Sequence, residues 1–327
     1  MYFQRICWIA LFLSGLFLLI SIRPLFSAQD ATVVLGRCVI KKDTTWRGKV
    51  LITGDVEVAK GAILTISPGT IIQFSKISQW GEEKLYSDKT DHFPRAELVI
   101  RGRVIAQGTK DNWIHFRSAQ KNPHPADWGA VNLLDSRDNI FEFCEFSYGH
   151  TAIHCHGGQV VISSCYFHDN GVAIGLKNVP HYKTRCVVTI LYNRIIANGG
   201  GILFGNGTSP TIVHNLIKDN KIFGVFAKKA GPATIRFNNF LGNGKALALY
   251  STSRIIFTYN NVTESIDYHV SLFEGQNEDV SAPYNWWGTK DIQAIEKMVW
   301  DRQKEKDLGR LIFTPIAKVP VVGAGLP

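Results

Sequence analysis

Between Cys144 and Trp287 one pattern returns about every 21 to 24 residues, with one longer interval. Each copy runs from a turn residue through apolar or mixed positions to a short polar stretch with Asn and Gly. An alternating apolar strand follows. The turn residues read as Cys144, Cys165, Asn193, Asn215, Asn239, Asn261 and Asn285, which by subtraction are 21, 28, 22, 24, 22 and 24 apart. A unit this short cannot bury its own apolar face and must stack on copies of itself. Buried turn asparagines suit such stacking, because a carboxamide both donates and accepts.

A second register runs beside the first, at Asn170, Asn198, Asn220 and Asn243, with Gly171, Gly199 and Gly244 after three of them. Strand side chains alternate faces. The inward set is therefore Ile153/Cys155, Ile174/Leu176, Ile202/Phe204, Val225/Ala227, Leu247/Leu249 and Val270/Leu272. A leucine-rich repeat has a similar period but needs a Leu-x-x-Leu-x-Leu frame and a helical segment per repeat. The connecting stretches here are too short for helices, so the pattern predicts an all-β parallel β-helix.

Upstream, short strands separated by Gly54-Asp55, Lys60-Gly61 and Pro68-Gly69 read as the opening coils and an N-terminal cap. Insertions at 75–94, 118–127 and 178–185 break the rhythm. Spacing of Ile292, Ile295, Val299 and Trp300 predicts a capping helix within 291–308, covering the open end of the solenoid. The expected organisation is a signal peptide or membrane anchor over 1–28, the β-helix over 29–288, a capping helix and final strand over 289–318, and a loose Gly/Pro-rich tail over 319–327.

The first segment carries Arg5, an apolar run from Ile6 to Ile22, and small residues at Ser27-Ala28, the pattern of an export signal. Phe26 and Arg23 fit cleavage poorly, which leaves an uncleaved anchor as the other reading. Export predicts a periplasmic, surface or secreted location and disfavours nucleic acid as partner. Cleavage after Ala28 removes Arg5 and Arg23 and lowers the formal charge from +9 to +7. The excess is diffuse and suits an anionic polysaccharide or envelope glycan. Five cysteines remain after cleavage, so no disulfide framework is expected. Cys144 and Cys165 should be neighbours in the turn ladder, as stacked thiols or as an oxidised pair, and Cys155 a core residue.

Three stretches carry a family resemblance. They are Trp46-Arg-Gly through Gly54-Asp55-Val56 with Gly61-Ala-Ile-Leu-Thr-Ile-Ser-Pro-Gly-Thr-Ile-Ile-Gln-Phe, the Asn-x-apolar-x-x-Asn-Gly coils, and Asn285-Trp-Trp-Gly-Thr with Leu308-Gly-Arg-Leu-Ile-Phe-Thr-Pro. Together they resemble right-handed parallel β-helix proteins of the pectin-lyase-like superfamily, of the PbH1-repeat, NosD-like (CASH) kind. That resemblance implies a right-handed solenoid. It does not imply one activity, because the superfamily holds lyases, hydrolases, epimerases, adhesins and non-enzymes. Of the polygalacturonase-like signatures only His156-Gly157 is present, and no clustered carboxylates for calcium or paired carboxylates for glycoside hydrolysis can be placed. Binding rather than catalysis is therefore expected, with no cofactor; turnover, if present, would be that of a polysaccharide lyase or glycoside hydrolase.

The expected binding surface is the outer face of the strands that follow the Asn-Gly turns. Its candidate carbohydrate-binding residues are His154, His156, Lys177, Phe226, Lys228 and Tyr250. Rings could stack on sugars and lysines pair with uronates or phosphates. His154 and His156, two apart on one strand, are also a candidate metal pair if a third ligand arrives. A different class of reading is a structural or assembly component with envelope-protein partners, including a NosD-like accessory to a metal site. Asn206-Gly-Thr and Asn261-Val-Thr match glycosylation acceptors and read as chance, the second because Asn261 is expected in the interior ladder.

Overall fold

In the computed structural model, which describes residues 32–87 and 90–327, the alternating segments become three stacks of parallel strands. The signal or anchor expected at 1–28 lies outside the described residues. Each coil gives one strand to sheet A, one to sheet B and one to sheet C, then climbs to the next. Among the described residues these sheets hold ten, eleven and nine strands. The fold is a single-stranded right-handed parallel β-helix, the hand that parallel β-connections adopt.

The inward ladders are those read from the repeat. Ile153, Ile174, Ile202, Val225, Leu247 and Val270 lie side by side in sheet B, each with no exposed surface. Burying a side chain of that size contributes about 1.5–3 kcal/mol. Sheet A adds a file of inward rings, with Phe116, Phe146 and Phe167 stacked at 4.5 and 4.9 Å.

Asparagine ladders hold two corners. At the turn from sheet C to sheet A, Asn193, Asn215, Asn238, Asn260 and Asn285 form one chain of carboxamides. From Asn215 onward, each Oδ1 accepts both the side-chain and the backbone N–H of the asparagine one coil below. Two members differ from the expected set: Asn238 and Asn260 occupy the ladder, and Asn239 and Asn261 point outward, joined by a 2.8 Å bond. The residue before each ladder position is left-handed, with φ between 54° and 62° at Phe237, Tyr259 and Tyr284. That turn fixes which Asn of an Asn-Asn pair faces inward, and the sequence pattern alone does not reveal it. Asn261 is accordingly no interior residue.

Cys144 and Cys165 continue the same corner as neighbours with free thiols, and the Cys165 N–H donates to Asn193 Oδ1 at 2.9 Å. The second ladder, Asn170, Asn198, Asn220 and Asn243, holds the corner from sheet A to sheet B as expected. The insertions at 75–94 and 118–127 occupy this corner in coils that precede Asn170. The insertion at 178–185 lies at the corner from sheet B to sheet C.

The C-terminal end departs from expectation. Only Ile292–Lys297 is helical, capped by Asp291, whose carboxylate accepts the N–H groups of Gln293 and Ala294. Val299 and Trp300, expected on the helix, instead form the last strand of sheet B beside Val270 and Ser271. Pairing that edge satisfies backbone groups that a continuing helix would leave open. Leu311–Ile312 pairs with Val280–Ser281. Nor is the tail loose: Val321 N–H donates to Asn261 Oδ1 at 2.7 Å and Gly325 N–H to the Phe237 carbonyl at 2.7 Å. The outward Asn261 supplies this anchor.

Candidate functional site

Strand register places all six expected binding residues on two adjacent outer rows of sheet B. One row runs His154, Gly175, Leu203, Phe226, Ala248. Its neighbour runs His156, Lys177, Gly205, Lys228, Tyr250. The rows do not form one uniform strip, because the insertions divide them.

At the N-terminal end the rows are roofed. Lys84 of the first insertion is buried and donates to Asp55 Oδ1 at 2.8 Å and Glu97 Oε2 at 3.1 Å. Tyr86 donates to Glu57 and stacks on His92 at 4.2 Å. Arg101 Nε donates to Glu57 at 3.2 Å. Asn132 on the floor donates to the Asp91 carbonyl at 2.8 Å and Glu97 Oε1 at 2.9 Å. The third insertion reaches the same point, where His181 Nε2 is 2.8 Å and the Tyr182 hydroxyl 3.1 Å from Asp91 Oδ2. Burial raises the Asp55 carboxyl even though Lys84 opposes that, and burial with Asp91 beside it pushes the Tyr182 hydroxyl up to about 12.

Roofing changes the status of the histidine pair. His156 is 3 % exposed rather than an open surface residue, and Phe93 lies edge-on over His154 at 4.9 Å. Burial lowers both imidazoles, His156 to about 4. Their rings are 4.0 Å apart, and His156 Nδ1 is 3.4 Å from Asp91 Oδ1 without a formed hydrogen bond. His150 packs against Phe93, whereas His168 lies on sheet A, bonded to Glu145 and Asp169. Neither joins the pair, and no group of three or more His, Cys, Asp or Glu side chains among the described residues is placed to hold a metal ion.

Beyond Lys177 the face is open. Gly175 and Gly205 keep it flat, and a Cβ on Gly175 would meet His154 Cδ2 at 2.4 Å. Lys228 lies over the Tyr250 ring at 5.6 Å. Phe226 packs against Phe223 and Phe273 at 5.6 and 5.7 Å. The open face then runs into a cleft of about 400 Å³ lined by Lys245, Tyr268, Ser271, Phe273, Trp300 and Glu305, among others. Tyr268 and Trp300 meet edge-on at 5.4 Å on one side of it. An adjoining hollow takes in Tyr250, Glu274, Glu305 and Asp307.

Sequence reasoning missed the cleft, because Trp300 was expected on a helix and Phe273 lies one coil past the last expected residue. It also missed the Asp55–Lys84–Glu97 cluster. Its trace in the sequence is slight: Lys84 and His92 lie among the aromatic residues Trp80, Tyr86 and Phe93 of a single insertion.

Comparison with known proteins adds the following. Residues 120–263 match the family model described as right-handed β-helix region. No curated protein matches the chain. Two solved structures are similar in fold, the periplasmic alginate epimerase AlgG and a point mutant of it, at 12% and 14% identity and TM-scores of 0.35 and 0.38. Each alignment covers 72% of this chain, which spans 61% of the epimerase chain.

Proposed function

We propose that the protein is an exported β-helix that binds polysaccharide or cell-envelope glycan along the open outer face of sheet B. The observation that carries this reading is the run from Lys177 through Phe226, Lys228 and Tyr250 into the cleft at Tyr268, Phe273 and Trp300. Its floor is flat where Gly175, Gly205 and Ala248 recur. Rings of this kind offer apolar faces to the C–H faces of sugars, and cations beside them can pair with uronate or phosphate groups. The roof at 75–94 and the segment around Trp300 bound the face at its two ends, so a chain would lie along the solenoid. Carboxylates at Glu274 and Glu305 suit hydroxyl groups of the sugar. Binding without turnover is the reading adopted, on the outer side of the cytoplasmic membrane, as the N-terminal apolar segment suggests.

A glycan-array assay on the mature chain tests it, comparing wild type with Phe226→Ala/Lys228→Ala/Tyr250→Ala. Loss of at least about tenfold in affinity, equivalent to roughly 1.4 kcal/mol, is expected of the triple variant. Equal binding by both proteins would remove the face as the site, and absence of binding to every glycan class would remove the function.

A further inference from the structure

A second hollow of about 400 Å³ opens at the corner between sheets B and C, away from the open rows. It is framed by turns of three successive coils and by the third insertion. Five cations line it: Lys60, Arg101, Arg103, Arg137 and Lys183. Two carboxylates, Asp135 and Asp138, line it as well. Asp135 is already engaged, accepting the Thr184 N–H at 2.8 Å and lying 3.9 Å from Lys60. Arg101 is engaged too, paired with Glu57 at 3.2 Å. Arg103, Arg137 and Lys183 are left against Asp138, an excess of more than one unit of charge.

The arginines are set rather than loose. Arg103 Nε donates to the Asp138 carbonyl at 2.8 Å, and Arg137 Nε donates to Thr184 Oγ1 at 3.1 Å. In both, the forked Nη groups make no hydrogen bond to the described residues. A guanidinium held by Nε with its fork free is the form that binds planar or tetrahedral oxyanions through two bonds. At Gly61 no side chain enters the hollow, and nothing lies within 4 Å of where a Cβ would stand, so this edge of it is open.

We infer that this corner is a binding site for a phosphate-class dianion, distinct from the glycan face. A single carboxylate would leave the surplus charge uncompensated, whereas a phosphate monoester carries nearly two negative charges and enough oxygens for both forks. The same chemistry can come from free phosphate or from a phosphorylated sugar.

The test is calorimetric titration of the mature protein with inorganic phosphate, with a hexosamine 1-phosphate, and with the same hexosamine unphosphorylated. Saturable phosphate binding is expected, weakened about tenfold or more in Arg137→Gln/Lys183→Gln, two exposed positions. Lys60→Gln, in an exposed turn, should weaken it less and provides a second variant should the first unfold. The triple variant of the glycan face should bind phosphate as wild type does, so that failure of one site leaves the other measurable. Tighter binding of the sugar phosphate than of inorganic phosphate assigns the site to a sugar; equal binding assigns it to the free ion. Absence of saturable binding, or binding unchanged in both corner variants, overturns the inference.

Discussion

Removing the Asn238 carboxamide should cost far more than removing that of its neighbour, Asn239. Asn238 is fully buried. Its Oδ1 accepts the Asn215 backbone N–H at 2.9 Å and the Asn215 Nδ2 at 2.9 Å. Its Nδ2 donates to the Ile212 carbonyl at 2.9 Å, the Arg236 carbonyl at 3.0 Å and Asn260 Oδ1 at 3.1 Å. In Asn238→Ala the Asn215 side chain keeps its bonds to the Ile190 and Val213 carbonyls, but its backbone N–H has no acceptor left. That orphaned donor costs about 1–3 kcal/mol, and the remaining lost bonds add roughly 1 kcal/mol each, less whatever relaxation recovers. A total of about 3–5 kcal/mol follows. Asn239 is half-buried and loses one bond, from Asn261, so Asn239→Ala should cost about 1 kcal/mol or less. Denaturant unfolding followed by two probes gives the comparison. Since stability in a solenoid is carried between neighbours, hydrogen exchange at the Asn215 amide provides the local reading. Equal losses in the two variants, or unchanged protection at Asn215, would refute the assignment of the ladder and the orphaned-donor argument with it.

Acid should weaken the fold through its buried neutral histidines. Burial lowers His269 to about 4, so the unfolded chain binds a proton that the folded one refuses. The stability is present above the unfolded value near 6.5 and is lost as pH falls toward about 4, to the order of 3 kcal/mol. His269→Gln should flatten that part of a pH–stability profile, and an unaltered profile would count against it. Cys155 and Cys186, whose sulfurs are 3.5 Å apart, are the thiol pair placed to cross-link. A hydrogen bond from Cys155, partly offset by burial, lowers Cys186 to about 7. Mild oxidant should join these two in preference to Cys144 and Cys165, which peptide mapping would reveal; a Cys144–Cys165 product in their place would refute that preference.

What the residues said of the site was its address. Strand alternation put His154, His156, Lys177, Phe226, Lys228 and Tyr250 on the outside of one sheet, and register brought them into two rows. Alternation says nothing of what lies above a face. The roof over His154 and His156 comes from residues 75–94, at least sixty positions earlier in the chain, and is held by Lys84, Asp91 and Glu97. The cleft at Trp300 was hidden for a related reason. The apolar spacing after Asp291 fits a helix, but the unpaired edge of sheet B at Val270 takes Val299 and Trp300 as a strand.

The sequence by itself determined the coil. A repeat near 22 residues, with strands that alternate and corners that carry Asn, can bury its apolar face only by stacking. Tertiary structure decided the rest: which asparagine of a pair turns inward, which half of the outer face is open, and which cations meet at one corner. Each of these depends on contacts between coils or between insertions far apart in the chain, where local periodicity carries no information.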